Sequence, residues 1–234
     1  MERIVTIHQP EHMPWTGFFH KMMQADHYVI LDSVQYRKDY FQNRNKVVDK
    51  NGKVDWISVP VQINDGKWKN PIVEIEIDLN RPWQKKYLGR IMGCYEGFPF
   101  FKEYFPIIEK IINGTPSTIC QLNINIINFF REILSIDTPI SFASELSSDV
   151  TQSQLLLNIC KHNNATTYLS GPSGKGYLDE GIFNQSGIKV EYHKFTPPEY
   201  EMANPIVGLS TLDVIMRFGP DSSEIIKSSC ILDV

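Results

Sequence analysis

Cysteine is scarce in this chain, four in 234 residues, and none of the four is placed to help another. Cys94, Cys120, Cys160 and Cys230 stand far apart, with no C-x-x-C pair and no histidine at metal-ligand spacing. That excludes a zinc ribbon and a disulfide framework and reads as free, mostly buried thiols. Positive charge is not in excess either: the formal net charge is -4, which gives no electrostatic footprint for nucleic acid or a membrane surface. No run approaches the ~20 apolar residues of a spanning helix, and "MERIVTIHQP" lacks a signal-peptide core, so the expectation is a cytoplasmic protein without membrane insertion, in a reducing compartment. Internal repeats, low-complexity tracts and long linkers are missing as well. So are a G-x-S-x-G elbow, a P-loop and any His/Asp/Glu cluster at ligand spacing, and no protein-held metal or cofactor is expected.

What is present, 42% apolar and 21% charged residues, is the composition of a globular chain long enough for one compact domain over 1–234. "RIVTI" (3–7) and "HYVILD" (27–32) are short β-branched runs. Between them "FFHKMMQA" sets Phe18, Phe19, Met22 and Met23 at helical spacing. Strand, helix, strand is a βαβ unit with parallel, buried strands. "WISVPV" (56–61) and "PIVEIEID" (71–78) read as further strands, paired with each other or at an edge. From Trp83 to Leu134 the pattern turns helical in three segments, a central helical insertion or lid over about 83–134. The α/β rhythm then resumes, with strands at 141–143, in "TTYLSG" and in "KVEYHKF", and helices over 152–162 and in "STLDVIMRFG". The fold class is α/β, a Rossmann-like, mainly parallel sheet flanked by helices.

Three constellations carry the candidate chemistry. His8 and Gln9, before Pro10, close the first strand, where a parallel sheet opens its ligand crevice. His8 there either titrates against a ligand or packs as a structural histidine. "DSVQYRKDYFQNRN" follows the second strand with Asp32, Gln35, Gln42, Asn43, Arg44 and Asn45. Its amides and guanidinium suit sugar hydroxyls and phosphate, and Tyr36, Tyr40 and Phe41 suit a flat ring. The alternative is a polar loop that bonds its own backbone. "YLSGPSGKGYLDEGIF" (168–183) offers Ser170, Ser173, Lys175 and Asp179 among glycines. It either cradles an anion on backbone N–H groups or simply turns. His20, His27, His162 and His193 read as structural, and the tryptophans Trp15, Trp56, Trp68 and Trp83 as core or interface.

"IHQPEHMPWTGFFHKMMQADHYVILDSVQYRKDYFQNRN", "YLSGPSGKGYLD", "GIKVEYHKF" and "LSTLDVIMRFG", in this order from Ile4 to about Gly219, resemble the WbqC-like protein family. The resemblance implies a step of bacterial surface-polysaccharide biosynthesis (O-antigen or capsule) on a nucleotide-linked amino sugar. The reading is a transferase that moves an acyl or aminoacyl group to the sugar's amine. His8 would be the general base and Asp32 its orienting partner or a sugar contact. Gln9, Trp15, Gln35, Asn43, Arg44, Asn45, Ser170, Ser173, Lys175 and Asp179 would bind substrate, with Arg44 and Lys175 on the diphosphate. The first forty residues are also similar in layout to HIGH-type nucleotidyltransferases and ATP-dependent ligases, which would bring ATP and Mg²⁺. Trp15, Thr16, Gly17 and Phe18 match that motif's positions. Only Gly17 fits, because aromatic residues replace both histidines, and His8 or His12 would have to take over. A third reading is a non-catalytic sugar-nucleotide binding protein. The partner is a small-molecule nucleotide sugar, and Phe98, Phe100, Phe101, Tyr104 and Phe105 point to a possible homodimer.

Overall fold

The computed structural model describes residues 2–63, 66, 69–114, 116–146, 150, 152–200 and 206–229. Trp68 and Cys230 lie outside the described residues. Five strands form one sheet: β1 (Ile4–His8), β2 (His27–Ile30), β5 (Ile140–Phe142), β6 (Thr167–Ser170) and β7 (Lys189–Tyr192). Their order is β5-β2-β1-β6-β7 and every pairing is parallel, with the inner strands β2, β1 and β6 mostly buried, as for a sheet covered on both faces. The chain builds β1, β2 and β5 to one side and then returns to lay β6 and β7 on the other. The switch point therefore lies between β1 and β6, at the carboxyl ends marked by His8 and Ser170.

Alternation along the strands assigns the two faces. Tyr28 and Ile30 enter one core with Phe18, Phe19 and Met22 of α1 (Thr16–Met23). Val5, Ile7 and Val29 enter the other, against Leu155, Leu156 and Ile159 of α5 (Gln152–His162) and Phe183 of α6 (Glu180–Gln185). The larger core continues into α2 (Gln84–Tyr95), α3 (Phe101–Asn113), α4 (Ile119–Ile133), α7 (Leu212–Phe218) and α8 (Ser222–Lys227). In α4 the residues Leu122, Ile126, Ile127 and Phe130 repeat at helical spacing and are almost wholly buried, each worth roughly 1.5–3 kcal/mol. Thr118 caps that helix by accepting from the Gln121 amide at 3.2 Å.

Two local readings need correction. Residues 44–48, to which the sequence pattern assigned no strand, form β3 (Arg44–Val48), which pairs antiparallel with β4 (Val54–Ser58) from Arg44 opposite Ser58 to Val48 opposite Val54. The turn between them is made by Asp49, whose Oδ1 accepts from the amides of Asn51 and Lys53, and by Gly52 at φ 79°. Residues 71–78 are not a strand. Ile72–Glu74 is one 3₁₀ turn, and isolated bridges tie Ile77 to Val61 and Glu76 to Thr118. Ile72, Ile75 and Ile77 are buried there by tertiary packing, with no ladder.

The aromatics behind the homodimer expectation pack within the chain. Phe100 stacks on Tyr104 at 5.7 Å, Phe101 on Phe105 at 4.7 Å, and Tyr104 meets Phe129 edge-on. That apolar area is spent internally. Among the described residues no helix is long and apolar enough to cross a membrane.

Candidate functional site

β1 delivers His8 to the carboxyl edge of the sheet with a quarter of its side chain still in contact with solvent. Nδ1 lies 3.1 Å from the Gln9 carbonyl oxygen, which only accepts, so Nδ1 carries the hydrogen and Nε2 holds the lone pair. Phe18 meets the ring edge-on at 5.1 Å. Burial, followed by the charge of Lys21, lowers His8 to about 3, a shift that the exposed part of the ring moderates. His8 is therefore neutral at pH 7, with Nε2 open but its affinity for a proton weakened by burial. Ser170, across the switch point, is buried and its hydroxyl donates to the Gly171 carbonyl at 3.3 Å.

Behind His8 stands a group of charged and polar side chains that pattern reading did not single out. Glu11 Oε1 is 3.9 Å from His8 Nε2, and Glu11 Oε2 is buried without a hydrogen-bond partner. Burial pushes Glu11 up to about 8, against an opposing pull from Lys21. Lys21 is 2% exposed, donates from Nζ to the Ile7 carbonyl at 3.2 Å, and is brought down to about 7 by burial, with Glu11 pulling it back up. His20 Nδ1 and His193 Nε2 share one hydrogen at 2.7 Å, and Phe195 packs on both rings. Among the described residues no group of three or more His, Cys, Asp or Glu is placed to hold a metal.

His12 is taken up by the fold. Its Nδ1 donates to Asn123 Oδ1 at 2.9 Å and its Nε2 accepts from the Tyr87 hydroxyl at 2.7 Å. Asn123 in turn donates to the carbonyls of Pro10 and Gln42. The helical layer of α2 and α4 is thereby bonded to the loop that carries Gln9 and Glu11.

The polar run after β2 divides. Asp32 accepts from the Ser144 amide at 2.8 Å and the Ser144 hydroxyl at 2.7 Å, so its carboxylate anchors the turn after β5 instead of orienting His8. Asn45 donates to the Met13 carbonyl and accepts from the Lys46 amide, both buried backbone contacts that leave it no sugar to read. Asn43 donates to the Val59 carbonyl. Gln35 is exposed beside Pro71. Gln9 Oε1 accepts from Gln42 at 2.7 Å, and the Gln42 carbonyl oxygen Oε1 accepts from the Arg37 amide, so these two glutamines bind the loop to the sheet edge.

Arg44 lies 4.6 Å over the Trp56 ring and donates to Asp39 Oδ1 at 3.3 Å and to the Asp39 carbonyl at 2.6 Å, leaving Nε buried and unpartnered. With Tyr36, Lys38, Asn43 and Arg81 it lines a polar cleft of about 600 Å³, within the range of small-ligand sites. His8 and Lys175 are not among the residues that line it. Arg44 and Lys175, expected together on one diphosphate, do not line this cleft together.

The glycine-rich loop begins with a 3₁₀ turn, Pro172–Gly176. The amides of Gly174, Tyr177 and Leu178 bond carbonyls of the same loop, so it is largely self-supporting. Gly174 packs against Ser170, since a Cβ there would meet Ser170 Oγ at 2.2 Å and the hydroxyl would have to turn away. Ser173 is exposed, and Lys175 Nζ stands 5.3 Å over the Tyr192 ring. Asp179 caps α6 by accepting from the Gly181 amide at 3.0 Å, a structural role in place of a ligand contact. Tyr177 from this loop and Tyr40 from the run after β2 are both exposed, and burial, then the charge of Tyr40, raises Tyr177. Trp15 folds its indole over Gly17, where a Cβ would meet the ring at 2.3 Å, and Phe195 packs edge-on at 5.4 Å. The start of α1 is therefore covered by aromatic rings.

The model of the WbqC-like protein family matches residues 9–225. The Mycobacterium tuberculosis (strain ATCC 25618 / H37Rv) protein called "Uncharacterized protein Rv1507c" is 28% identical over 229 residues, covering 95% of this chain and 97% of its own length. No solved structure matches the chain.

Proposed function

The chain belongs to the WbqC-like protein family, and from that premise we propose that it is an enzyme of bacterial surface-polysaccharide biosynthesis that transfers an acyl or aminoacyl group to the amine of a nucleotide-linked amino sugar. The family gives the coarse link to polysaccharide biosynthesis. The observation that carries the chemistry is His8, a neutral imidazole with its Nε2 lone pair free, partly exposed at the carboxyl end of β1 beside the switch point. Amine acylation needs a proton acceptor, and for His8 to serve, the substrate-filled site must favour the imidazolium that burial disfavours. The attacking nitrogen loses a proton as its bond to the acyl carbon forms, Nε2 accepts that proton, and the leaving group departs with its electron pair. A positioned base of this kind contributes ~10²- to 10⁴-fold.

Tyr40 and Tyr177, both exposed, offer aromatic faces for stacking on a sugar or base of the substrate. The Arg44 cleft takes the charged end of the nucleotide, its guanidinium exchanging Asp39 for phosphate. The test is incubation of the purified protein with UDP-, dTDP- and GDP-linked amino sugars and a thioester or aminoacyl-ester donor, read by mass spectrometry and by calorimetric binding. An N-acylated sugar nucleotide supports the reading. Tight binding without any product replaces the transferase with a sugar-nucleotide carrier, and no binding of any of the three removes both.

A further inference from the structure

The Glu11 carboxyl is the least explained polar group in the fold. It sits in the loop after β1, almost wholly buried, with one oxygen 3.9 Å from His8 Nε2 and the other without any partner. An orphaned buried oxygen is costly unless the group is neutral or has a task. Three further ionisable side chains face it from different elements. Lys21 of α1 acts on its charge and is itself held by a single acceptor, the Ile7 carbonyl. Tyr28 of β2 has its hydroxyl buried and unpartnered, and feels the Glu11 charge. His8 completes the group and also feels Lys21 and His193, the latter bonded to His20.

We propose that Glu11 is a positioning residue for His8: with Oε1 3.9 Å from Nε2, its carboxylate steadies the imidazolium formed when His8 takes a proton, while the Gln9 carbonyl holds the Nδ1–H tautomer. The two oxygens divide the work, Oε1 toward Nε2 and Oε2 toward the buried side. Burial favours the acid form, against an opposing pull from the Lys21 charge where Lys21 is protonated. Two groups whose surroundings push their proton affinities toward neutrality, one behind a partly exposed base, form the arrangement in which acid–base roles are tuned. The importance of this for turnover rests on the reading of His8 as the base. The contact itself does not.

The test needs no substrate. Protein labelled with ¹⁵N-histidine is titrated by nuclear magnetic resonance, with the His8 signals assigned by their loss in His8→Asn. His8 is expected as the Nδ1–H tautomer, with its nitrogen shifts moving through a step near pH 8 as Glu11 ionises. Glu11→Gln, which keeps shape and a donor but cannot ionise, keeps the tautomer and loses the step. A wild-type protein without the step, or a step that persists in Glu11→Gln, overturns the proposal. The wild-type titration decides the matter even where a variant does not fold.

Discussion

The Tyr87 hydroxyl donates to His12 Nε2 at 2.7 Å, and through this bond the helical layer holds the loop that follows β1. His12 is fully buried and its other nitrogen is already committed to Asn123, so loss of the hydroxyl strands an acceptor in the core. Tyr87→Phe is expected to cost about 1–3 kcal/mol, the range for an unsatisfied buried group, while keeping the packing of the ring. Urea unfolding checks it.

Acid should destabilise the protein before its carboxylates are titrated. Burial holds His8, His12 and His193 at about 3, 4 and 3, well below the usual histidine value of 6.5. Below pH 6.5 the unfolded chain takes up protons that the folded chain refuses, so stability falls as pH drops, down to about pH 4. Glu11 works the other way. Raised to about 8 from 4.5, it keeps a proton that the unfolded chain has lost, and stabilises increasingly as pH falls from 8 to 4.5. Lys21 is mainly charged in both states over the lower part of this window. The balance is about two protons, and from pH 6.5 to 5 the expected loss is roughly 2–4 kcal/mol. A flat dependence of the urea midpoint over that range would contradict the buried neutral histidines.

Gly17→Ala places a methyl group where the Trp15 indole lies, 2.3 Å from its ring, and 2.9 Å from Phe195. Both rings must move, and overpacking of that kind costs about 1–3 kcal/mol. A lower thermal midpoint with a changed tryptophan fluorescence spectrum is the expected outcome.

Arg44→Lys separates ion pairing from ligand capture. The pair with Asp39 is largely exposed on the Asp39 side, so its loss should change stability by ~0–1 kcal/mol. Lysine cannot present two parallel N–H donors or spread flat over Trp56, so affinity for a nucleotide sugar should fall by roughly 1.5–3 kcal/mol. Calorimetry with UDP and a UDP-amino sugar measures the difference.

The βαβ start and the return of the α/β rhythm were legible because apolar spacing follows the period of each element, as in Phe18, Phe19 and Met22. β3 was hidden because Arg44, Asn45 and Lys46 carry polar side chains whose partners are distant backbone groups and the Trp56 ring, contacts that no periodicity records. The Asn51–Gly52 turn was the signal that could have exposed the hairpin. The end of β1 at His8, with Gln9 next in the chain, was legible from the β-branched run before it. Asp32, Asn45 and Asp179 could not be told from ligand contacts, since short polar side chains bind backbone and substrate with the same groups. Lys21, between His20 and Met22 on a short helix, looks like a solvent-facing lysine. Its 2% exposure is set by what packs against α1 and is invisible in the local sequence.

The most direct measurement of the central claim is the single-turnover rate of N-acylation of a nucleotide-linked amino sugar by wild-type protein and by His8→Ala, followed by mass spectrometry. The thermal midpoint and sugar-nucleotide affinity of both proteins are measured alongside. The account predicts a rate lower by ~10²- to 10⁴-fold in His8→Ala, with affinity within a few-fold of wild type. Equal rates in the two proteins, or no acylated product from wild type with any donor, would contradict it.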